Sequence, residues 1–520
     1  MAIAMGRPLT QRLAGTFTLL NAVSALLLLV GGLGLARLLA APRFGVALVL
    51  VTLLATVPLS LILIVKLRFG VYLLFVVSMT IIAVKRLAWE MEVGLLVEAL
   101  EGVLAVGMAL AIVSRRDAWR LRSPLTGVVL LFVFFQTLMA LHPGLPTMFN
   151  VVYALREPVN LAVPFFAALY LIRDRRQLRS FLYFWLATAV VIALYGLKQA
   201  FIGLSNWEAA WLSVSRTHLL YDRIRIFSTL GSADAMGMHM AVSIVVALGL
   251  AFSTRALLLR YGCLAMVPLF LAANLYTLTR GAYVAVLVGV LSLAMLTRNR
   301  GLLLALLLAG AGVVGWYQMN EGSLLASRIL TMFSPEEDES YTVRQNYIQT
   351  YLPTILDRPF GLGPNTSGRQ GWVLLEWGGI DPTQVQSLAG VPTDNYYFRI
   401  ALENGWVGLL MFLVLLAFVF VRGSLIFIRS RDPLVRGAAA AFLASYAAMI
   451  VSSMSNNYFS HLDLRLFFWF SMGVLANLPW IEAVGEQEQP EVSRAEAADA
   501  YPGRQPWATP FGPPTRVPQW

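Results

Sequence analysis

Residues 392–421 read PTDNYYFRIALENGWVGLLMFLVLLAFVFV. The second half is an unbroken apolar run. With its lead-in it is long enough to cross a hydrocarbon layer of about 30 Å at ~1.5 Å per residue. The first half carries Asp394, Asn395, Arg399 and Glu403. An ionised side chain at a helix centre costs about 2.5–3.5 kcal/mol on insertion scales, so such groups face a cavity or a partner rather than lipid. The stretch therefore reads as a membrane helix with a polar entrance.

The whole chain agrees with that reading. Of its 520 residues 58% are hydrophobic and 13% charged, whereas a soluble domain has about 25% charged residues. Apolar runs of spanning length fall near 14–36, 44–65, 69–84, 94–113, 124–141, 158–172, 180–202, 234–253, 257–276, 281–297, 301–319, 395–421, 435–452 and 463–480. The expected fold class is an all-α polytopic integral membrane protein with about 12–14 transmembrane helices. Arg7 and Arg12 precede a long apolar stretch without a small-residue cleavage site, which reads as a first helix rather than a removed signal peptide. The single cysteine, Cys263, excludes an intramolecular disulfide framework. No CxxC, HExxH or GxxxxGK[ST] spacing occurs, which argues against zinc and phosphate-loop chemistry.

The net charge of +11 suggests no nucleic-acid partner, because the basic residues lie in short inter-helix loops. Twenty of them, among them Arg115, Arg116, Arg173, Arg175, Arg429 and Arg431, fall on the side that also holds the N-terminus; seven, including Lys85, Arg86, Arg156, Arg280 and Arg465, fall on the other. The asymmetry puts the N-terminus in the cytoplasm, and an even helix count returns the C-terminus there. Two long loops, 203–233 and 320–392, then face outward, and loops of that length are usually functional. The division that follows is N-terminal helices over 1–203, a region over 204–482 that includes both loops, and a disordered cytoplasmic tail over 483–520.

Several polar residues admit two readings. Arg280, in LYTLTRGAYVAVLVG, fits an anion-binding arginine at a helix start and equally a snorkelling interfacial one. Arg223 and Arg225 alternate with Ile224 and Ile226, so on an extended segment they share a face, or else lie in a solvated loop. Asp394 fits a helix N-cap. Arg399 and Glu403, four apart, fit a pair on one helix face. His461 and Asp463 form the last outward turn, in NNYFSHLDLRLFF. The acidic EEDE at 336–339 reads as the start of an amphipathic helix carrying Tyr347, Ile348, Tyr351 and Leu352.

Four stretches in order, RIFST at 225–229, TRG at 279–281, RPFGLG at 358–363 and DNYYFRIALENG at 394–405, together resemble the bacterial O-antigen ligase and the O-antigen and exopolysaccharide polymerase superfamily. The resemblance covers roughly residues 220–420. It implies a membrane glycosyltransferase fold of the GT-C type in the bacterial inner membrane, with its site facing the periplasm. The implied activity moves a glycan from an undecaprenyl-diphosphate-linked donor to a hydroxyl acceptor, a glycan or lipid A-core, with inversion and without metal or other cofactor. It further implies membrane lipids and polysaccharide export or chain-length proteins as partners. A lipid-linked oligosaccharide flippase and a protein O-oligosaccharyltransferase are the alternatives.

By the same resemblance Arg225 and Arg280 hold the diphosphate, with Arg344 in the outer loop as a third candidate. Asp394 stands where the ligases have a histidine, and Ala233-Asp234 where Pro-Asn is common. A carboxylate at a helix N-terminus is a weak base, so Asp394 and His461 are both candidate catalytic residues. Asn395, Arg399 and Glu403 are expected on the acceptor side.

Overall fold

The computed structural model describes residues 62–87, 95–214, 218–220, 223–319, 339–381, 391 and 393–487. The expected span 14–36, most of 44–65, the EEDE stretch before Glu339 and the tail beyond Gln487 lie outside them.

The described chain is almost wholly helical. In order it forms α1 (Leu67–Leu87), α2 (Leu95–Arg115), α3 (Pro124–Met139), α4 (Met148–Leu171), α5 (Arg175–Phe201) and the short α6 (Asn206–Val214). A two-stranded hairpin, β1 (Leu219–Leu220) and β2 (Arg223–Ile224), follows. Then come α7 (Ala233–Ser253), α8 (Leu257–Tyr276), α9 (Arg280–Thr297), α10 (Arg300–Met319), α11 (Glu339–Asp357), α12 (Gly368–Trp377), α13 (Tyr396–Arg429), α14 (Pro433–Ser452) and α15 (Leu462–Gln487). Nine of these are long and apolar enough to cross a membrane, and every expected span within the described residues falls on a helix. α15 runs past the expected end near 480 to Gln487.

Side-chain caps set several helix starts. Asp174 accepts from Gln177 N, Ser232 from Ala235 N, and Asp432 from Leu434 N and Val435 N, each satisfying an amide that the first turn leaves free. α7 is the innermost helix, buried over nearly its whole span. Small residues bring it close to its neighbours: Gly237 lies against Ala282, Gly249 against Ala441, and Gly289 of α9 against Val245. Without water to drive association, such close packing is what joins helices in lipid.

Loops assigned to one side by charge do meet at one end. Arg173 donates to Arg120 O and Asn477 Oδ1, Arg175 pairs with Asp432 at 2.5 Å, and Glu482 accepts from Asp432 N. At the opposite end the 358–367 and 453–461 segments meet the start of α13, Gly144 lies against Leu362, and Gly281 and Asp234 bring the starts of α9 and α7 against the 453–461 turn.

α13 is broken near its entrance. Gly405 adopts φ 71° and ψ 179°, a backbone open to glycine and strained for other residues. The break releases carbonyls and an amide at a depth where water is scarce. The RPFGLG segment takes their place: Leu362 N donates to Leu402 O (3.0 Å), Gly363 N to Glu403 O (2.9 Å), and Val407 N to Pro359 O (3.2 Å). A Cβ on Gly405 would collide with the Pro359 carbonyl, and one on Gly361 would come within 2.5 Å of Gly405 N.

Candidate active site

The first and second motifs form one surface. After β2, Arg225 N donates to His218 O (2.9 Å) and Ile226 N to Tyr276 O (3.3 Å). The half-buried Arg225 guanidinium then donates through Nε to Thr277 O (3.2 Å) and through Nη2 to Thr279 Oγ1 (2.8 Å). Burial pushes its pKa below the ordinary arginine value, while the Asp234 carboxylate and the Tyr283 and Tyr458 hydroxyls pull it back up.

The turn behind Arg225 is held from below. Gln199 Oε1 accepts from Phe227 N and Ser228 N. Arg86, sandwiched 4.4 Å from the Trp211 ring centre and 4.3 Å from that of Phe227, donates to Ser228 O, Leu230 O and Gly231 O. Charge counting placed Arg86 in an outer loop; the fold buries it as the support of RIFST.

Arg280 opens α9, directly after Thr279, and its positive charge acts on Arg225. Gly281 lets the 455–458 turn approach. A Cβ there would strike the Asn456 amide and lie 2.9 Å from Tyr458 Oη and 3.0 Å from Ser455 Oγ. The outer arginines and the last outer loop are thereby brought together.

His461 ends the short Tyr458–Ser460 turn. Its Nε2 lies 3.0 Å from Asp234 Oδ2, in the first turn of α7. Burial favours the neutral ring, but the charge and hydrogen bond of Asp234, with a smaller contribution from Asp463, leave the His461 pKa raised overall. The sequence set His461 beside Asp463 and Arg465, and the fold gives each a different partner. Asp463 binds His239 Nδ1 (2.8 Å), a buried ring stacked 4.4 Å from Trp185. Arg465 faces Glu157 at 3.6 Å.

The third and fourth motifs are likewise joined. The cap of α13 is Asn395, not Asp394: Asn395 Oδ1 accepts from Tyr397 N (2.9 Å) and Phe398 N (3.1 Å). Asp394 lies exposed one residue earlier, outside the turn whose amides need an acceptor. Arg399 and Glu403 pair at 3.3 Å, but Glu403 is buried rather than on an exposed helix face. Glu403 also accepts from Asn365 N, Ser367 N and Ser367 Oγ. Arg399 donates to Ser460 Oγ (3.0 Å) and Asn365 Oδ1 (3.4 Å). Glu403 thus anchors the RPFGLGPN loop, while Arg399 ties that loop to the His461 turn. Arg344 falls on α11, and its side chain lies outside the described residues.

Beside this tie lies a partly enclosed cavity of about 60 Å³. Phe132, Tyr396, Phe412, Phe459 and Trp469 wall one part of it; Gln136, Glu157, Asn365, Asn404, Ser460 and Arg465 supply polar edges, beside Arg399 and Glu403. Asp234, Asn365, Asn404 and Glu157 escaped sequence reasoning. Asp234 stood out only as a departure from the family pattern, and its partner lies 227 positions away.

No curated protein matches the chain. Residues 264–413 match the family model described as O-antigen ligase. The matched region contains TRG, RPFGLG and DNYYFRIALENG, three of the four stretches that the fold assembles at one end. Over that region the chain is similar to the O-antigen ligase family, in agreement with the resemblance carried by the four stretches.

Proposed function

We propose that this protein transfers a glycan from an undecaprenyl-diphosphate carrier to a hydroxyl acceptor, as a polysaccharide polymerase or ligase. The reaction takes place at the periplasmic face of the inner membrane, with both termini in the cytoplasm. The observation that carries the reading is the joining of four distant stretches at one end, with Arg225, Arg280, Asp234 and His461 side by side.

In this scheme Arg225 and Arg280 bind the diphosphate, with Arg344 as an additional ligand. Charge-assisted bonds to phosphate contribute about 1.5–3 kcal/mol each, and they strengthen as charge builds on the leaving group. The acceptor oxygen attacks the anomeric carbon from the face opposite the diphosphate. The new C–O bond forms as the bond to the diphosphate breaks, the departing oxygen keeps the electron pair, and the anomeric configuration inverts. Neutral His461 takes the hydroxyl proton, and Asp234 orients the ring and stabilises the imidazolium, the arrangement by which a carboxylate supports a histidine base. Asp394, exposed beside Asn395, orients the incoming acceptor. The arginines carry the diphosphate charge without a metal ion.

The test is complementation of a gene deletion with Arg225→Ala, Arg280→Ala, Asp394→Ala, His461→Ala and, as control, Arg298→Ala, reading surface polysaccharide on a gel. A polymerase defect leaves single repeat units on the acceptor; a ligase defect leaves polymer on the lipid carrier. Arg280→Ala behaving like Arg298→Ala would sink the diphosphate assignment. Lipid-linked units accumulating on the cytoplasmic face would indicate a transporter instead.

A further inference from the structure

Beneath the proposed base lies a second imidazole–carboxylate pair that the transfer scheme does not use. His239, in the second turn of α7, and Asp463, in the first turn of α15, are both buried. The His239 ring is fixed by its neighbours. Its Nδ1 meets Asp463 Oδ2 at 2.8 Å, and the Trp185 ring of α5 stacks on it at 4.4 Å, inclined by 24°. Trp185 is held in turn, since its Nε1 donates to Ser243 Oγ (3.1 Å), which donates to His239 O (2.7 Å). His239 Nε2 is buried and has no hydrogen-bond partner among the described residues, so the ring's one hydrogen bond there is the bond to Asp463. An ionised carboxylate only accepts, so Nδ1 is the donor, and the bond aims and holds the negative charge.

The two pairs are crossed between the same segments. α7 supplies Asp234 and His239, and the last outer turn with the start of α15 supplies His461 and Asp463. Asp234 takes the hydrogen bond of His461 Nε2, and His239 takes that of Asp463. Asp463 therefore stands two positions from His461 without bonding to it, and its charge still acts on the His461 ring. A carboxylate near an imidazole favours the imidazolium. The other ionisable groups around His461 are Asp234 from α7 and the Tyr458 hydroxyl of its own turn, whose ring lies 6.3 Å away. Behind the two carboxylates stand Arg225, which interacts with Asp234 through its charge, and His239.

We propose that His239 is a positioning residue that holds the Asp463 carboxylate beside His461, and that the two together set how tightly the His461 ring keeps its proton. That this proton comes from the acceptor hydroxyl rests on the transfer reaction proposed above; the coupling of the two pairs rests on their geometry.

The test reads the titration midpoint of His461 by NMR on the purified full-length protein in detergent, labelled in its histidine rings. The chain has four histidines, and the His461 signal is the one lost in His461→Gln. In Asp463→Asn the midpoint falls by about 0.5–1 pH unit. It falls in His239→Leu as well, because a buried carboxylate without its donor takes up a proton and loses its charge. His239→Asn, whose amide nitrogen replaces Nδ1, keeps the wild-type midpoint. That rescue separates positioning from packing, since a core accepts leucine more readily than an amide. A midpoint unchanged in Asp463→Asn or in His239→Leu overturns the proposal, and so does a midpoint as low in His239→Asn as in His239→Leu. The two His239 variants decide the matter by themselves if Asp463→Asn does not fold. With the transfer reaction also correct, the rising limb of the pH–activity profile moves to lower pH in Asp463→Asn together with the midpoint. Glycan product normal in His461→Ala overturns His461 as the base, while the midpoints, and the coupling they measure, are unaffected. Midpoints that stay in place while His461→Ala loses its product overturn the coupling and leave the base standing.

Discussion

The Arg225 guanidinium donates to a carbonyl and a hydroxyl, both neutral, so an incoming phosphate competes with weak bonds. Arg225→Ala lowers glycan product by about 10- to 150-fold, the equivalent of ~1.5–3 kcal/mol. Arg225→Lys recovers part of that, because a lysine keeps the charge without the planar fork. His461 carries the pH dependence. Its folded pKa is raised by Asp234, so the neutral ring that accepts a proton forms only as pH climbs through that raised value, and activity rises with it. In Asp234→Asn the rising limb moves to lower pH and the maximum falls, which a pH–activity profile of the two proteins measures. For stability the sign is opposite: the pair stabilises the fold fully below the unfolded histidine value of about 6.5 and less as pH climbs through the folded one. The thermal midpoints of wild type and Asp234→Asn therefore differ most at acid pH and converge at alkaline pH. Arg280 could be picked out because charge on the poorly charged side of a membrane protein is conspicuous, whereas Arg225 and His461 became candidates only through the family resemblance. Asp234 could not, since its meaning depends on a histidine 227 positions away.

At the scale of elements, the informative piece is the broken α13. The residues before the break looked like a cap and a surface ion pair, because a one-dimensional pattern of charges at i and i+4 says nothing about burial. Asn395 turned out to be the cap, and Glu403 the buried anchor of a loop some forty residues earlier. The helices themselves were legible to within a few residues, since a ~20-residue apolar run has few other solutions. The break was not, because glycine is common in membrane helices and only the neighbouring loop shows which one must be glycine. Gly405→Ala forces a side chain into positive φ, a strain of about 1–3 kcal/mol, and against the Pro359 carbonyl. It lowers the thermal midpoint of the purified protein, whereas Gly310→Ala in α10, with nothing within 4 Å of its added Cβ, does not. Equal midpoints for the two variants would show that RPFGLG is not clamped on the break.

For the whole molecule, the two-sided distribution of arginines predicts where each loop lies, and the packing agrees, with the basic loops meeting at one end and the motif loops at the other. Cys263 is the chain's single cysteine and is buried, so introduced thiols can be read over little background. A membrane-impermeant maleimide applied to spheroplasts labels Ser213→Cys, exposed on α6, and spares Arg122→Cys, exposed between α2 and α3. The reverse pattern would invert the topology and place the candidate site in the cytoplasm. One further consequence lies in the Tyr458–His461 turn. Ser460 holds Arg399 while His461, the very next residue, holds Asp234, and consecutive Cα atoms are about 3.8 Å apart across a fixed trans peptide. The spacing between the two halves of the site is thus metered by one peptide unit. Side chains around it can vary, but inserting or deleting a single residue between Asn457 and His461 puts the two halves out of step, so this loop can change in composition far more freely than in length.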